Sequence, residues 1–202
     1  MMVLTMLSIS LAYNVHVVDK SGAPIQDAYV ELIPKKEPAT VQPKDKVIID
    51  QVDKEFVPMV SAVPVGTTVF FPNSDNIQHQ IYSFSSAKNF DLPLYGSNDV
   101  NSIVFDNVGV VSMGCNIHDW MLAYVYIYES VYFKSTNSEG LAIFDDIPDA
   151  EYTLRVWSPR LRSPKNTIEV DIVVNKDNSS SKQVLNVRKS VRKPARIEDK
   201  EY

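Results

Sequence analysis

Apolar residues in this chain recur in short runs at strand length, and no stretch of ten or more residues carries a convincing helical repeat. That pattern restricts the chain to an all-β fold. Val15-His16-Val17-Val18 reads as a strand, Ser21-Gly22-Ala23-Pro24 as a turn, and Ala28-Tyr29-Val30-Glu31-Leu32-Ile33 as the returning strand. Further strands are expected at Val47–Ile49, Thr67–Phe71, Ile103–Phe105, Gly109–Met113 and Leu122–Tyr128. A last group follows at Gly140–Phe144, Tyr152–Trp157, Thr167–Ile172 and Gln183–Val187.

The first hairpin cannot stand alone, because an isolated two-stranded hairpin is marginal in water. The strands after Tyr128 equally need covered edges. Joining the two sets gives a sandwich of about seven strands, a size common for this architecture. The expected organisation is therefore a discontinuous sandwich from residues 13–44 and 129–188, interrupted by a domain at 45–128. The proline-bearing polar run Lys35–Lys44 serves as the linker. Residues 189–202 mix charges without apolar partners and are expected to form a disordered tail.

The chain has 202 residues, 45% of them hydrophobic and 22% charged, so a sizeable core is within reach. Its net charge of −5 argues against nucleic acid as a partner, since phosphate binding needs a basic face. No segment approaches a membrane-spanning helix. Residues 1–12 are apolar and close on Ser10-Leu11-Ala12, the pattern of a secretory signal, which implies a periplasmic or secreted protein. The basic start usual for such a signal is missing. With one cysteine, Cys115, no intrachain disulfide can form, and an exported thiol is an oxidation liability unless something occupies it.

Gly114-Cys115-Asn116-Ile117-His118-Asp119-Trp120-Met121 lies between two strand patterns and presents a thiol, an imidazole and a thioether within seven residues. Electron-transfer copper sites need this donor set: a thiolate, two imidazoles and a weak thioether. A second imidazole must come from elsewhere. His79, in the polar turn Pro72–His79, is the candidate; His16 alternates with valines and reads as structural.

Pro64-Val65-Gly66-Thr67-Thr68-Val69-Phe70-Phe71-Pro72-Asn73-Ser74-Asp75 with His79, then Cys115-x-x-His118-x-x-Met121, resembles the cupredoxin (plastocyanin- and amicyanin-like) family, over about residues 47–128. The fuller pattern is similar to the methylamine utilisation type. The resemblance implies a Greek-key sandwich holding one copper ion, Cu(I) or Cu(II). His79 and His118 would be its imidazole ligands, Cys115 its thiolate and Met121 its axial thioether. It also implies one-electron exchange with a redox partner protein. One departure stands out: cupredoxins often carry Asn directly after the first histidine, and this chain has Gln80. The flanking Val17–Val30 and Thr136–Leu154 stretches resemble a carboxypeptidase regulatory-like (transthyretin-like) sandwich, usually a structural or adhesive module, on which the cupredoxin domain would be docked or into which it would be inserted.

Other readings stay open at this point. Zinc also takes Cys and His, although a Met ligand is unusual for it. Asp75 and Asp119 lie near the donors and leave a catalytic copper site conceivable, and a copper carrier would use the same ligands. Ile117, Trp120 and Leu122 are either core or an exposed apolar rim for partner docking. The oligomeric state is not legible.

Overall fold

The computed structural model describes residues 11–36, 38–163 and 167–189, all in strands, turns and irregular segments, with no helix among them. No helix is therefore long and apolar enough to cross a membrane. The signal-like segment lies outside the described residues up to position 10, while Leu11 and Ala12 belong to the first strand. The tail beyond Lys189 lies outside them too. The chain divides into two compact units, leaving the first after Ala39 and returning to it at Ser130.

Strands β1 (Leu11–Asp19) and β2 (Tyr29–Pro34) open the first unit. The second unit holds β3 (Val47–Ile48), β4 (Asp50–Val52), β5 (Glu55–Val57), β6 (Val60–Pro64), β7 (Thr67–Phe71), β8 (Tyr82–Ser85), β9 (Lys88–Asp91), β10 (Asn101–Phe105), β11 (Gly109–Gly114) and β12 (Leu122–Tyr128). The first unit resumes with β13 (Phe133–Ser135), β14 (Leu141–Ile147), β15 (Ala150–Trp157), β16 (Ile168–Val174) and β17 (Ser180–Leu185).

In the first unit, a β14-β1-β17 sheet and a β13-β2-β15-β16 sheet enclose one core. Alternation sets the faces: Val15 and Val17 are buried while His16 between them is half-buried on the other side. Tyr13, Phe144, Leu32, Leu154 and Val156 meet in the middle. Glu31, between Val30 and Leu32 and so on the opposite face of β2, is fully buried too but not unpaired. It accepts from the Ser130 N–H (2.8 Å) and pairs with Arg155 (3.2 Å).

In the second unit, the β10-β7-β3 sheet contributes Val69, Phe71 and Phe105 to a core. The β6-β12-β11-β8-β9 sheet contributes Val63, Val111, Met113, Val125 and Ile127 to the same core. Two pairings are parallel, β3 with β7 and β12 with β6; the other strand pairings within these two sheets are antiparallel. A separate two-stranded hairpin, β4-β5, completes the unit. Its 4-to-5 turn is Asp53-Lys54, and both residues have positive φ (53° and 59°). Such a two-residue turn matches the right-handed twist of its strands, at a steric cost when neither residue is glycine.

Candidate metal centre

The site is built where β11 ends and β12 begins, against the polar turn after β7. Cys115 directly follows β11, His118 sits in the turn, and the Met121 N–H closes it on the His118 carbonyl (2.9 Å) before β12 starts. His79 is held from the other side by a reciprocal backbone pair with Tyr95, N to O at 3.1 and 3.0 Å. Asn73 shapes that turn from within. Its side-chain amide donates to the Ile77 and Tyr95 carbonyls, and its Oδ1 accepts from the Asp75 N–H. Beneath it, buried Gln51 donates to the Pro72 carbonyl and to Tyr95 Oη, and Tyr95 Oη donates to the Phe71 carbonyl.

Three donors converge. His79 Nδ1 and His118 Nδ1 are 3.1 Å apart, and Cys115 Sγ is 3.9 and 3.8 Å from them. The three residues are buried, His79 completely and His118 to 7% exposure. A triangle with those three sides has a circumscribed circle of radius about 2.1 Å, so one point lies at that distance from all three atoms. Metal bonds to imidazole nitrogen run about 2.0–2.1 Å and to thiolate sulfur about 2.3 Å, so the spacing is that of three ligands around one ion. Met121, the fourth residue singled out from the sequence, is buried in the same core cluster. His16 belongs to the first unit and is not part of this group.

Electrostatics prepare the thiol to lose its proton. Burial pushes the Cys115 pKa up, but the His79 imidazole and the N–H groups of Gln80, Ile117 and His118 outweigh it and bring the thiol below its ordinary value. For His79, burial acts to lower the pKa, while Cys115 and Asp75 act to raise it and prevail. His79 Nε2 lies 2.7 Å from Asp75 Oδ2, so the carboxylate fixes the tautomer that leaves Nδ1 facing Cys115 and His118. Burial raises the Asp75 pKa, yet the Lys54 N–H, His79 and the Asp53 N–H together hold it below the usual carboxylate range.

Several sequence readings are sharpened. Asp75 is occupied by His79 and two backbone donors, which suits an orienting role better than proton transfer to a substrate. Asp119 is exposed. Gln80 sends its side-chain amide outward to Asp91, and it is its backbone N–H that reaches the Cys115 sulfur. Trp120 is half-buried with its indole N–H on the Lys54 carbonyl (3.1 Å), and Leu122 is half-buried too; of the three suspected rim residues only Ile117 is exposed, at 49%. Gln51 and Tyr95 escaped the sequence reading, and Asn73 stood in the Pro64–Asp75 motif without a role, because nothing local marks a contact made across 22 or 44 positions.

No protein-family model and no curated protein matches the chain. Solved structures do. A Cu-containing nitrite reductase (NirK) from Thermus scotoductus SA-01 is 26% identical over 50% of this chain, with a TM-score of 0.41; the chain spans only 26% of that protein's length. A novel purple cupredoxin from Nitrosopumilus maritimus is 27% identical, covering 42% of this chain and 100% of its own, with a TM-score of 0.36. A reduced Cu(I) form of an amicyanin variant is 16% identical over 49% of this chain and 98% of its own, with a TM-score of 0.39.

Proposed function

We propose that the second unit is a cupredoxin-type domain in which His79, Cys115 and His118, with Met121 as a weak fourth ligand, would hold one copper ion and exchange single electrons with a partner protein. The observation that carries this reading is the donor triangle, whose centre is one metal–ligand bond length from all three atoms. When bound, copper would supply the Cu(I)/Cu(II) couple, and a thioether among the donors would favour it over zinc, for which methionine is an unusual ligand.

The chain's own residues do the rest. The backbone N–H groups around Cys115 favour its thiolate form. Asp75 holds the His79 ring in one tautomer and orientation. The strand ends and the Asn73 loop limit how far the donors can shift between oxidation states. His118, less buried than His79 and beside exposed Ile117, is the natural exit for an electron toward a docked partner. The first unit fits a carboxypeptidase regulatory-like module by its seven strands in two sheets, and the apolar start of the chain favours action in the periplasm or outside the cell.

Adding Cu(II) to purified apoprotein tests the proposal through visible and paramagnetic resonance spectra. An intense thiolate-to-copper band that vanishes in Cys115→Ser is expected. Cu(II) binding without that band, or preferential retention of zinc, removes the electron-transfer reading.

A further inference from the structure

The β4-β5 hairpin closes on Asp53 and Lys54, both left-handed as such a two-residue turn requires although neither is glycine. The backbone contacts of this turn lead to the metal centre. The Asp53 N–H donates to Asp75 Oδ1 (2.6 Å) and the Lys54 N–H to Asp75 Oδ2 (2.9 Å), a two-pronged cradle for the carboxylate that orients His79. The Lys54 carbonyl, pointing the other way, accepts the Trp120 indole N–H, and the Trp120 ring lies 5.2 Å from the His118 ring. The strand before the turn grips the same loop: Ser74 binds the Gln51 carbonyl through its N–H and Asp50 Oδ2 through its hydroxyl.

We propose that the Asp53-Lys54 turn is a positioning element for the metal site, fixing both histidine-bearing segments at once through the backbone N–H and C=O of Lys54. The proposal rests on the copper reading above and adds to it that the two imidazoles are not positioned independently. A change made on the His118 side should reach His79 through this residue as well as across their direct contact, and Lys54→Val, which leaves that contact in place, isolates the share carried by the turn.

Trp120→Phe keeps an aromatic ring beside His118 and removes only the indole donor. Lys54→Val places a β-branched residue at positive φ and distorts the turn, whereas Lys54→Gly keeps both backbone groups in a conformation glycine tolerates. Cu(II) affinity, measured against a competing chelator, is expected to fall about 10- to 100-fold in Lys54→Val, as for other residues that orient metal ligands, and to recover in Lys54→Gly. Trp120→Phe should weaken binding less and change the copper hyperfine splitting. In the metal-free protein, nitrogen NMR of the imidazoles should show the His79 ring losing order in Trp120→Phe, although the altered side chain lies on the His118 loop. Should Trp120→Phe disturb His118 alone, or Lys54→Val bind Cu(II) as the parent does, the turn is no clamp. A parent protein that binds no Cu(II) defeats the copper reading instead, and the metal-free NMR comparison then decides the clamp by itself.

Discussion

The two units solve the burial of polar groups in opposite ways. In the first, the buried carboxylate of Glu31 is met by Arg155 and a backbone N–H, so the protein itself completes the set. In the second, the buried polar groups at the end of the sheet are two imidazoles and a thiol that face one another across a gap of metal size. Charge follows the same division. Residues 40–129 hold ten Asp and Glu against four Lys and no Arg, whereas residues 11–39 and 130–189 hold twelve of each sign. The first unit is balanced in charge and pairs its buried carboxylate internally, although the buried hydroxyls of Tyr13 and Ser181 have no hydrogen-bond partner. An acidic unit with three convergent imidazole and thiol donors suits a cation.

The largest test of that contrast is metal loading. A ligand that binds only the folded state adds about 4 kcal/mol of stability when present at a thousand times its dissociation constant. Calorimetry with and without copper should show two transitions, of which only the second unit's moves. Simultaneous movement of both would mean that the units unfold as one, and the contrast would lose its thermodynamic meaning. The reciprocal test removes core volume from the first unit. Leu154, fully buried between its sheets, should cost about 3 kcal/mol when truncated to Ala, in the range for buried leucines, with the copper spectrum unchanged.

Glycine substitutions sharpen the comparison at smaller scale. Gly140, in the first unit, has φ of 72°, and an added Cβ would fall 2.4 Å from the Val17 carbonyl oxygen. Gly140→Ala should exceed the cost of about 1–2 kcal/mol expected from left-handed backbone alone, because the Val17 carbonyl belongs to a central strand and cannot move aside. Gly114, next to Cys115, has no such backbone demand, and its added Cβ would meet the end of the Tyr82 ring at 2.9 Å. Gly114→Ala should therefore cost less stability than Gly140→Ala and show itself in the copper absorption band. Equal losses of stability, with an unchanged band, would say that the end of β11 is as rigid a part of the sandwich as the first unit's turn.

What the sequence made legible follows from the same physics. Strands with alternating or dense apolar patterns, such as Leu122–Tyr128 and Thr67–Phe71, stand near their expected bounds, because burial on one or both faces writes itself into a two-residue period. The β4-β5 hairpin was not legible. Its strands are three residues long, and its turn lacks the Asn-Gly or Asp-Gly signal that announces this geometry. The parallel pairing of Val60–Pro64 with Tyr124–Tyr128 was equally hidden, since nothing local specifies a partner so distant. At the site, Cys115, His118 and His79 could be read because their types are scarce and chemically specific. Asp75 could be seen near them, but whether it served the reaction or the ligand depended on two backbone donors from a hairpin that the pattern did not reveal.

Those two donors give the smallest expected effect and a pH at which to look for it. Because Asp75 is held below its ordinary pKa in the folded protein, it stabilises the metal-free second unit above the unfolded value of about 3.9. That contribution is lost as pH falls through the folded value, because the folded state prefers the carboxylate and below both values the group is protonated in either state. The carboxylate is partly solvated, so the effect is damped by water and salt. Following the melting of the apoprotein from pH 6 down to pH 2 should show the second unit losing stability over the acid limb, and Asp75→Asn should make that limb shallower while lowering stability at neutral pH. The first unit's transition should keep the same pH profile in both proteins. A limb of unchanged slope in Asp75→Asn would mean that the contacts of this carboxylate with the turn and with His79 do not distinguish the folded chain from the unfolded one, and the hairpin would then have no energetic hold on the histidine it faces.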